Sequence, residues 1–272
     1  MPFSNSTAPR FVFRGNAIPM GGRILRIKDD RTPQNLQSPP ASSLTVAGGF
    51  CHATSPGSMF RDIFSWGQSV AQSQGEQRAD GSHVTVVTAS IQNVKAANGA
   101  NVFTAGQLKL TLNSTHPEKG QPSIIPTEVV FGGDAGMTLN KQKIVVTTDL
   151  EDFRKMGTLE QFDAAFQKDA ATFKKYRGRF LTSDGKPPEF KQPIPRVSGG
   201  YVVCSIVSSI KWGTKKIDGN VLVLEGFGKI YFGEVLINEY NRRYTLVRLA
   251  MGSDVEANVA YAEGDPNGSW IP

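Results

Sequence analysis

Alternation of apolar and polar residues is the feature that most restricts how this chain can fold. Between Gln107 and Leu112, leucine occupies every second position, with Gln, Lys and Thr in between. Successive side chains of an extended chain point to opposite faces, so this spacing predicts a strand with one buried face. Similar alternation, with many β-branched residues, recurs along most of the 272 residues and predicts a sheet-based protein.

We predict strands wherever this pattern lasts for four residues or more. The predicted strands are Phe11–Arg14, Arg23–Ile27, Leu44–Ala47, His83–Val94, Gln107–Leu112, Glu128–Phe131, Lys143–Thr147, Val202–Trp212, Val221–Leu224, Ile230–Ile237 and Tyr244–Leu249. The last three are separated by short turns and are expected to form an antiparallel meander. Glu234 lies inside this meander and needs a cationic partner, for which Arg242, Arg243 and Arg248 are candidates. The predicted fold is therefore mainly β, an antiparallel two-layer sandwich or barrel.

One segment is helical instead. Two capping boxes follow one another, Thr148 with Glu151 and Thr158 with Gln161, and each satisfies free backbone donors at a helix start. Gly157 stands where the first helix would end. We predict a short helix over about 149–156 and a longer one to about residue 177, an inserted pair of α-helices at about 149–177. Apolar residues at spacings of three and four predict that the longer helix packs on the sheets.

The strands before and after the helices are expected to belong to one domain, 1–272, because neither half has a complete set of elements. Val86–Ala96 resembles Val202–Trp212, which raises the alternative of an internal duplication relating about 83–112 to about 201–237. Residues 28–43, 71–82, 113–123 and 182–198 are predicted to be long loops. Loops of this length often carry a binding surface.

Composition excludes several classes of protein. With 39% hydrophobic and 20% charged residues, the chain is neither disordered nor collagen-like. Residues 1–15 lack the apolar run of a secretory signal, and no stretch reaches the ~18 apolar residues of a membrane-spanning helix. We therefore expect a cytoplasmic protein that is not integral to a membrane. Cys51 and Cys204 are too few for a disulfide framework and too far apart for a CxxC motif.

The net charge of +6 is unevenly distributed. Residues 168–196 hold eight basic and three acidic residues, whereas the last twenty residues hold four acidic residues and no Lys or Arg. The predicted binding residues are Lys174, Lys175, Arg177, Arg179, Lys186, Lys191 and Arg196. The basic segment of one copy would pair with the acidic C-terminal segment of another in a homo-oligomer. The alternative is a solvated surface.

Catalytic signatures are absent. None of the short motifs of metalloproteases, α/β-hydrolases, P-loop proteins or dinucleotide-binding proteins occurs. Cys51 is the candidate nucleophile, and its base would be His83 or His116, because the side chain of adjacent His52 points to the opposite face. The alternative for Cys51 is a small packed residue, which is also the prediction for Cys204.

The C-terminal segment offers oxygen ligands. Glu263, Asp265 and Asn267 are candidates for a cation site, with a Pro-Asn-Gly turn as the alternative. No metal or other cofactor is predicted. Trp270, which follows, is expected to dock on the body or on a neighbour. Aromatic residues accompany the basic segment, but no nucleic-acid reader motif does, so nucleic acid is not an expected partner.

These observations favour a non-enzymatic β-rich protein that acts by binding or by self-assembly. A hydrolase that uses Cys51 with a histidine is the first alternative. A lipid-active or membrane-active β protein is the second, since alternating strands rich in Ser and Thr resemble those of β pore formers.

Overall fold

The computed structural model describes residues 10–36, 40–168, 179–182, 197–239 and 241–271, with the backbone alone at Lys168, 179–182 and Ser198. Predictions for the remaining residues, including the end of the longer helix at 169–177, lie outside the described part of the chain.

Strands make up most of the described residues. In chain order they are β1 (Arg10–Ile27), β2 (Gln34–Asn35), β3 (Ser42–Ser43), β4 (Gly49–Ser55), β5 (Ser58–Phe60), β6 (Phe64–Trp66), β7 (Ser69–Gln77), β8 (His83–Asn98), β9 (Asn101–His116), β10 (Ser123–Phe131), β11 (Met137–Leu139), β12 (Gln142–Thr148), β13 (Arg179–Thr182), β14 (Gly200–Ser205), β15 (Val207–Trp212), β16 (Lys215–Asp218), β17 (Val221–Leu224), β18 (Gly228–Ile237), β19 (Arg242–Met251) and β20 (Val255–Ile271). The helices α1 (Leu150–Lys155) and α2 (Leu159–Lys168) lie between β12 and β13, and single 3-10 turns occupy Arg61–Ile63 and Val197–Gly199.

Two antiparallel sheets contain these strands. Within the described ranges, the first sheet has the order β13-β14-β18-β19-β20-β1-β2, with β17 beside β18 and β3 beside β1. The second has the order β16-β15-β12-β11-β9-β8-β6-β5, with β10 beside β9 and with β7 joining β8 to β4. This architecture confirms the prediction of a mainly β, sandwich-like fold with a small helical insertion.

The core lies between β1 and β20 of the first sheet and β7, β8 and β9 of the second. The leucines of the alternating segment, Leu108, Leu110 and Leu112, are fully buried there. Gly264 lies opposite them, where an added Cβ atom would be 3.0 Å from Leu112 Cδ1. The sheets can therefore approach closely at this point, because Gly264 has no side chain.

The chain crosses from one sheet to the other at Ile206. A single strand over Val202–Trp212 was predicted, but the structure divides it into β14 of the first sheet and β15 of the second. The Ile206 amide donates to the Gly233 carbonyl at 2.9 Å. Gly233 has a φ of 60°, and a Cβ there would approach Ile206 Cγ1 to 2.6 Å. Glycine therefore makes room for the crossing.

The helical pair is fastened to the first sheet by a buried arginine. Arg242 on β19 donates from Nη1 to the carbonyls of Ile124 and Met156, at 3.3 and 2.5 Å, and from Nη2 to that of Thr158, at 2.7 Å. Its guanidinium also lies 5.6 Å from the centre of the Phe162 ring on α2. Arg242 is thus not the partner of Glu234.

The partner of Glu234 is Arg248. Its Nε and Nη2 donate to the two carboxylate oxygens at 2.6 and 2.8 Å. The guanidinium also lies 3.8 Å from the centre of the Tyr231 ring. One of the three predicted partners is confirmed, and the pair lies on strands that are neighbours in the predicted meander.

Several predicted loops and turns are strands in the structure. Residues 71–77 belong to β7, and the predicted loop at 113–123 is reduced to 117–122. In β7 the buried positions carry Ser69, Ala71, Ser73 and Gly75, so small buried residues alternate with larger, half-buried ones. Conversely, predicted strand Leu44–Ala47 is mainly a turn, which ends at Gly48 with a φ of 80°. In the described residues no helix is both long and apolar enough to cross a bilayer.

Candidate functional site

Four strands bring aromatic and histidine side chains together at one end of the sandwich. Phe11 on β1 is the cross-strand partner of Trp270 on β20, and His83 on β8 is the partner of His116 on β9. The first pair belongs to the first sheet and the second pair to the second sheet. Their rings meet between the sheets, so the site requires both layers.

The rings are in close contact. Phe11 stacks on His83, with ring centres 4.3 Å apart and planes at 22°. Trp270 meets His83 edge to face at 4.8 Å, and its Nε1 donates to the Pro117 carbonyl at 3.3 Å. Phe13 lies 4.8 Å from Phe11. The indole is therefore fixed on the body of the protein, one of the two positions predicted for Trp270.

Glycines make the space that these rings occupy. A Cβ at Gly268 would collide with the Phe11 ring. At Gly75 and Gly48 a Cβ would lie 2.6 and 2.8 Å from ring carbons of Phe13. Glycine at these positions permits an aromatic ring to lie directly against a neighbouring backbone.

A cleft of about 440 Å³ opens beside the rings. We call it the aromatic cleft, because Phe11, Phe13, His83 and Trp270 form one of its walls. Its remaining lining residues are Arg10, Ala47, Gly75, Glu76 and Gln77. The three polar residues among these are exposed, and the Gln74 side-chain amide donates to the Glu76 carboxylate at 3.3 Å. The cleft combines an apolar wall with a polar rim, as ligand sites commonly do.

His116 is a neutral imidazole beneath the cleft. It is 4% exposed, and burial lowers its pKa to about 4, with a further decrease from neighbouring His83. Its Nε2 lies 2.6 Å from the Ser114 hydroxyl. This is the distance between a nucleophile and its base, but Ser114 is fully buried and the histidine is a weak base. The Ser114–His116 hydrogen bond therefore stabilises the buried end of the sandwich, and the serine is not placed to attack a substrate.

His83 is 7% exposed, and burial lowers its pKa. Its Nδ1 is buried and has no hydrogen-bond partner among the described residues. An unpaired buried N–H is rarer in proteins than an unpaired acceptor, which favours the tautomer with the proton on Nε2. Because His83 lines the cleft, Nε2 is the nitrogen that a ligand can reach.

Cys51 lies apart from both histidines. It pairs with Ser73, which pairs with Val87, whereas His83 pairs with Gln77. Two strand spacings and four residues along β8 place the Cα atoms of Cys51 and His83 roughly 16 Å apart. Cys204 is buried in the core as predicted, and burial raises the pKa of its thiol to about 12.

The candidate cation ligands lie along β20, and not in the turn that was the alternative. The Glu263 carboxylate accepts from the Thr245 hydroxyl at 3.2 Å, and that of Asp265 accepts from the Asn241 amide at 3.0 Å. Asn267 Oδ1 accepts from the Gly268 amide at 2.7 Å. Each oxygen group thus has a separate protein partner. Among the described residues, no three His, Cys, Asp or Glu side chains converge as metal ligands would.

The predicted basic surface falls largely outside the described residues. This holds for Lys174, Lys175, Arg177, Lys186, Lys191 and Arg196. Arg179 is described by its backbone alone, in β13 opposite Val203. The acidic C-terminal segment is a strand in the first sheet, where Glu256 lies 3.6 Å from Arg26 and Glu263 lies 3.9 Å from Arg243.

Sequence analysis found His83, His116 and Trp270 as single residues and missed Phe11, Phe13 and the rim as parts of one site. No local pattern joins them, since the pairs come from strands far apart in the chain. Gly75 and Gly268 inside strands and Gly48 just before one are the signal that could have indicated close ring packing.

Comparison with known proteins gives a family and no activity. Residues 11–238 match the model of a domain of unknown function, DUF8256. No curated protein matches the chain. No solved structure matches it either.

Proposed function

The chain belongs to the DUF8256 family of domains of unknown function, which carries no activity over to it, and we propose from the geometry that it is a binding protein. Its ligand would be a small ring-shaped molecule with hydrogen-bonding groups, held in the aromatic cleft. The observation that carries this proposal is the cleft of about 440 Å³ that Phe11, Phe13, His83 and Trp270 line together.

The physical support is the combination of flat apolar surface and free polar groups. Aromatic rings bind flat ligand faces with little loss of side-chain entropy, and packing fixes these rings in advance. The buried Nδ1 of His83 has no hydrogen-bond partner among the described residues, and its Nε2 is the ring nitrogen on the side of the cleft. A ligand hydrogen bond to Nε2 would replace a bond to water.

Replacement of Trp270 tests the proposal. We expect ring-shaped fragments to bind the parent protein in saturation-transfer NMR and to bind Trp270→Ala about tenfold more weakly or worse, since a central aromatic contact is removed. Trp212→Phe is the matched control, because Trp212 lies on β15, away from the cleft. Equal binding to parent and Trp270→Ala would show that the ligand site is elsewhere.

Self-assembly is a second candidate function, favoured by a separate observation. Val46 and Phe50, on the turn before β4 and on β4 itself, are 68% and 63% exposed. Within the described residues β4 pairs with β7 alone, so its other edge has no strand partner. The Ser42 hydroxyl donates to the Cys51 carbonyl of β4. An edge strand with exposed apolar residues is suited to pairing with another chain.

A further inference from the structure

We infer that the ligand of the aromatic cleft is a saccharide. This inference rests on the proposed function and narrows it to one chemical class. It follows from the polar groups at the rim, from the arrangement of the rings and from the openness of the site to solvent.

The rim offers donors and acceptors in a mixture that only a few ligand classes satisfy. Arg10 is a donor, Glu76 is an acceptor, Gln77 is both, and His83 presents Nε2–H in the favoured tautomer. Because Arg10 and Glu76 carry opposite charges, the rim as a whole favours neither an anionic nor a cationic ligand. Hydroxyl groups donate and accept equally well, so a polyhydroxylated ring can satisfy every group of this rim.

The rings favour a sugar over a nucleobase. A base that binds between two parallel rings needs a gap between them. In the cleft the parallel pair is Phe11 and His83, and these two rings already contact each other at 4.3 Å. Trp270 stands at 71° to Phe11 and at 88° to His83. The C–H groups on one face of a pyranose can instead pack against a single ring such as Trp270, with the hydroxyls directed to the rim.

The cleft is also large enough for one or two sugar units, since small-molecule sites begin at roughly 300 Å³. Its rim residues Arg10, Glu76 and Gln77 are exposed, so a ligand can project into solvent. A ligand of this size held by a shallow site is expected to have a Kd on the order of 1 mM.

The test uses the full chain and a panel of methyl glycosides, observed by saturation-transfer NMR and titrated by protein chemical shifts. Indole serves as a flat ring ligand without hydroxyls, and a nucleoside serves as a ligand in which a flat base accompanies a sugar. We expect at least one glycoside to bind with the resonances of Trp270 and His83 perturbed. Binding should fall about tenfold in Glu76→Gln, because a charged acceptor is replaced by a weaker one.

Glu76→Gln is chosen because Glu76 is exposed at the rim and its change leaves the ring packing intact. Glu225→Gln, an exposed glutamate outside the cleft lining, is the matched control and should bind as the parent does. Binding of indole or the nucleoside without any glycoside would overturn the saccharide inference and leave the proposed binding function standing. No binding by any ring ligand would overturn both, and glycoside binding that Glu76→Gln leaves unchanged would overturn the assignment to this rim.

Discussion

Burial of a single residue, His116, makes the stability of the protein depend on pH. In an unfolded chain its pKa is near 6.5, and in the folded protein burial lowers it to about 4. Above the unfolded value both states are neutral. As the pH falls from about 6.5 to about 4, the unfolded state gains a proton that the folded state does not, so the free energy of unfolding decreases.

This difference makes a prediction for His116→Gln, which removes the titrating group and keeps a hydrogen-bonding side chain for Ser114. One pKa unit corresponds to about 1.4 kcal/mol, so the parent should lose roughly 3 kcal/mol between pH 7 and pH 4 through this residue. We expect the free energy of unfolding of His116→Gln to fall by that much less than the free energy of the parent falls between these pH values. Urea unfolding at both pH values measures the difference. His52→Gln, at an exposed position, is the control. If His116→Gln lost as much stability at pH 4 as the parent does, His116 would not be the source of the acid sensitivity.

At the scale of one element, the two capping boxes show that identical motifs differ in outcome. Thr158 and Gln161 cap α2 reciprocally, with N···O distances of 3.0 and 3.1 Å, as predicted. The Thr148 prediction is wrong, because Thr148 ends β12 opposite Val207 and Asp149 takes the N-cap position of α1 instead. Glu151 pairs with Arg154 instead.

Thr158→Ala should therefore lower the free energy of unfolding by about 1 kcal/mol, since a Thr cap is removed. Thr148→Ala is the matched comparison and should show little or none of this capping loss. Urea denaturation of both variants measures the difference. Equal losses in the two would mean that the Thr158 hydroxyl does not stabilise the start of α2.

At the scale of the whole molecule, the two routes to self-assembly respond differently to salt. Contact through Phe50 is apolar and is expected to persist or strengthen at high salt, whereas pairing of basic and acidic segments is screened. If Phe50 mediates assembly, Phe50→Lys should shift the parent from oligomer to monomer in size-exclusion chromatography with light scattering. An exposed charge on an edge strand opposes pairing. A parent that is monomeric at low and high salt would remove this second function.

The sequence alone determined that the chain is built of strands with one inserted helical pair, because a period of two or of 3.6 is a local property of neighbouring residues. It could not reveal β7, whose buried residues are small, or the crossing at Ile206, where an unbroken apolar pattern changes sheet. Only the tertiary structure brings Phe11, His83 and Trp270 together in one cleft, with His116 beneath it. Many registers and strand orders bury the same apolar faces, and only the pairing of β1 with β20 and of β8 with β9 brings these four rings to one end.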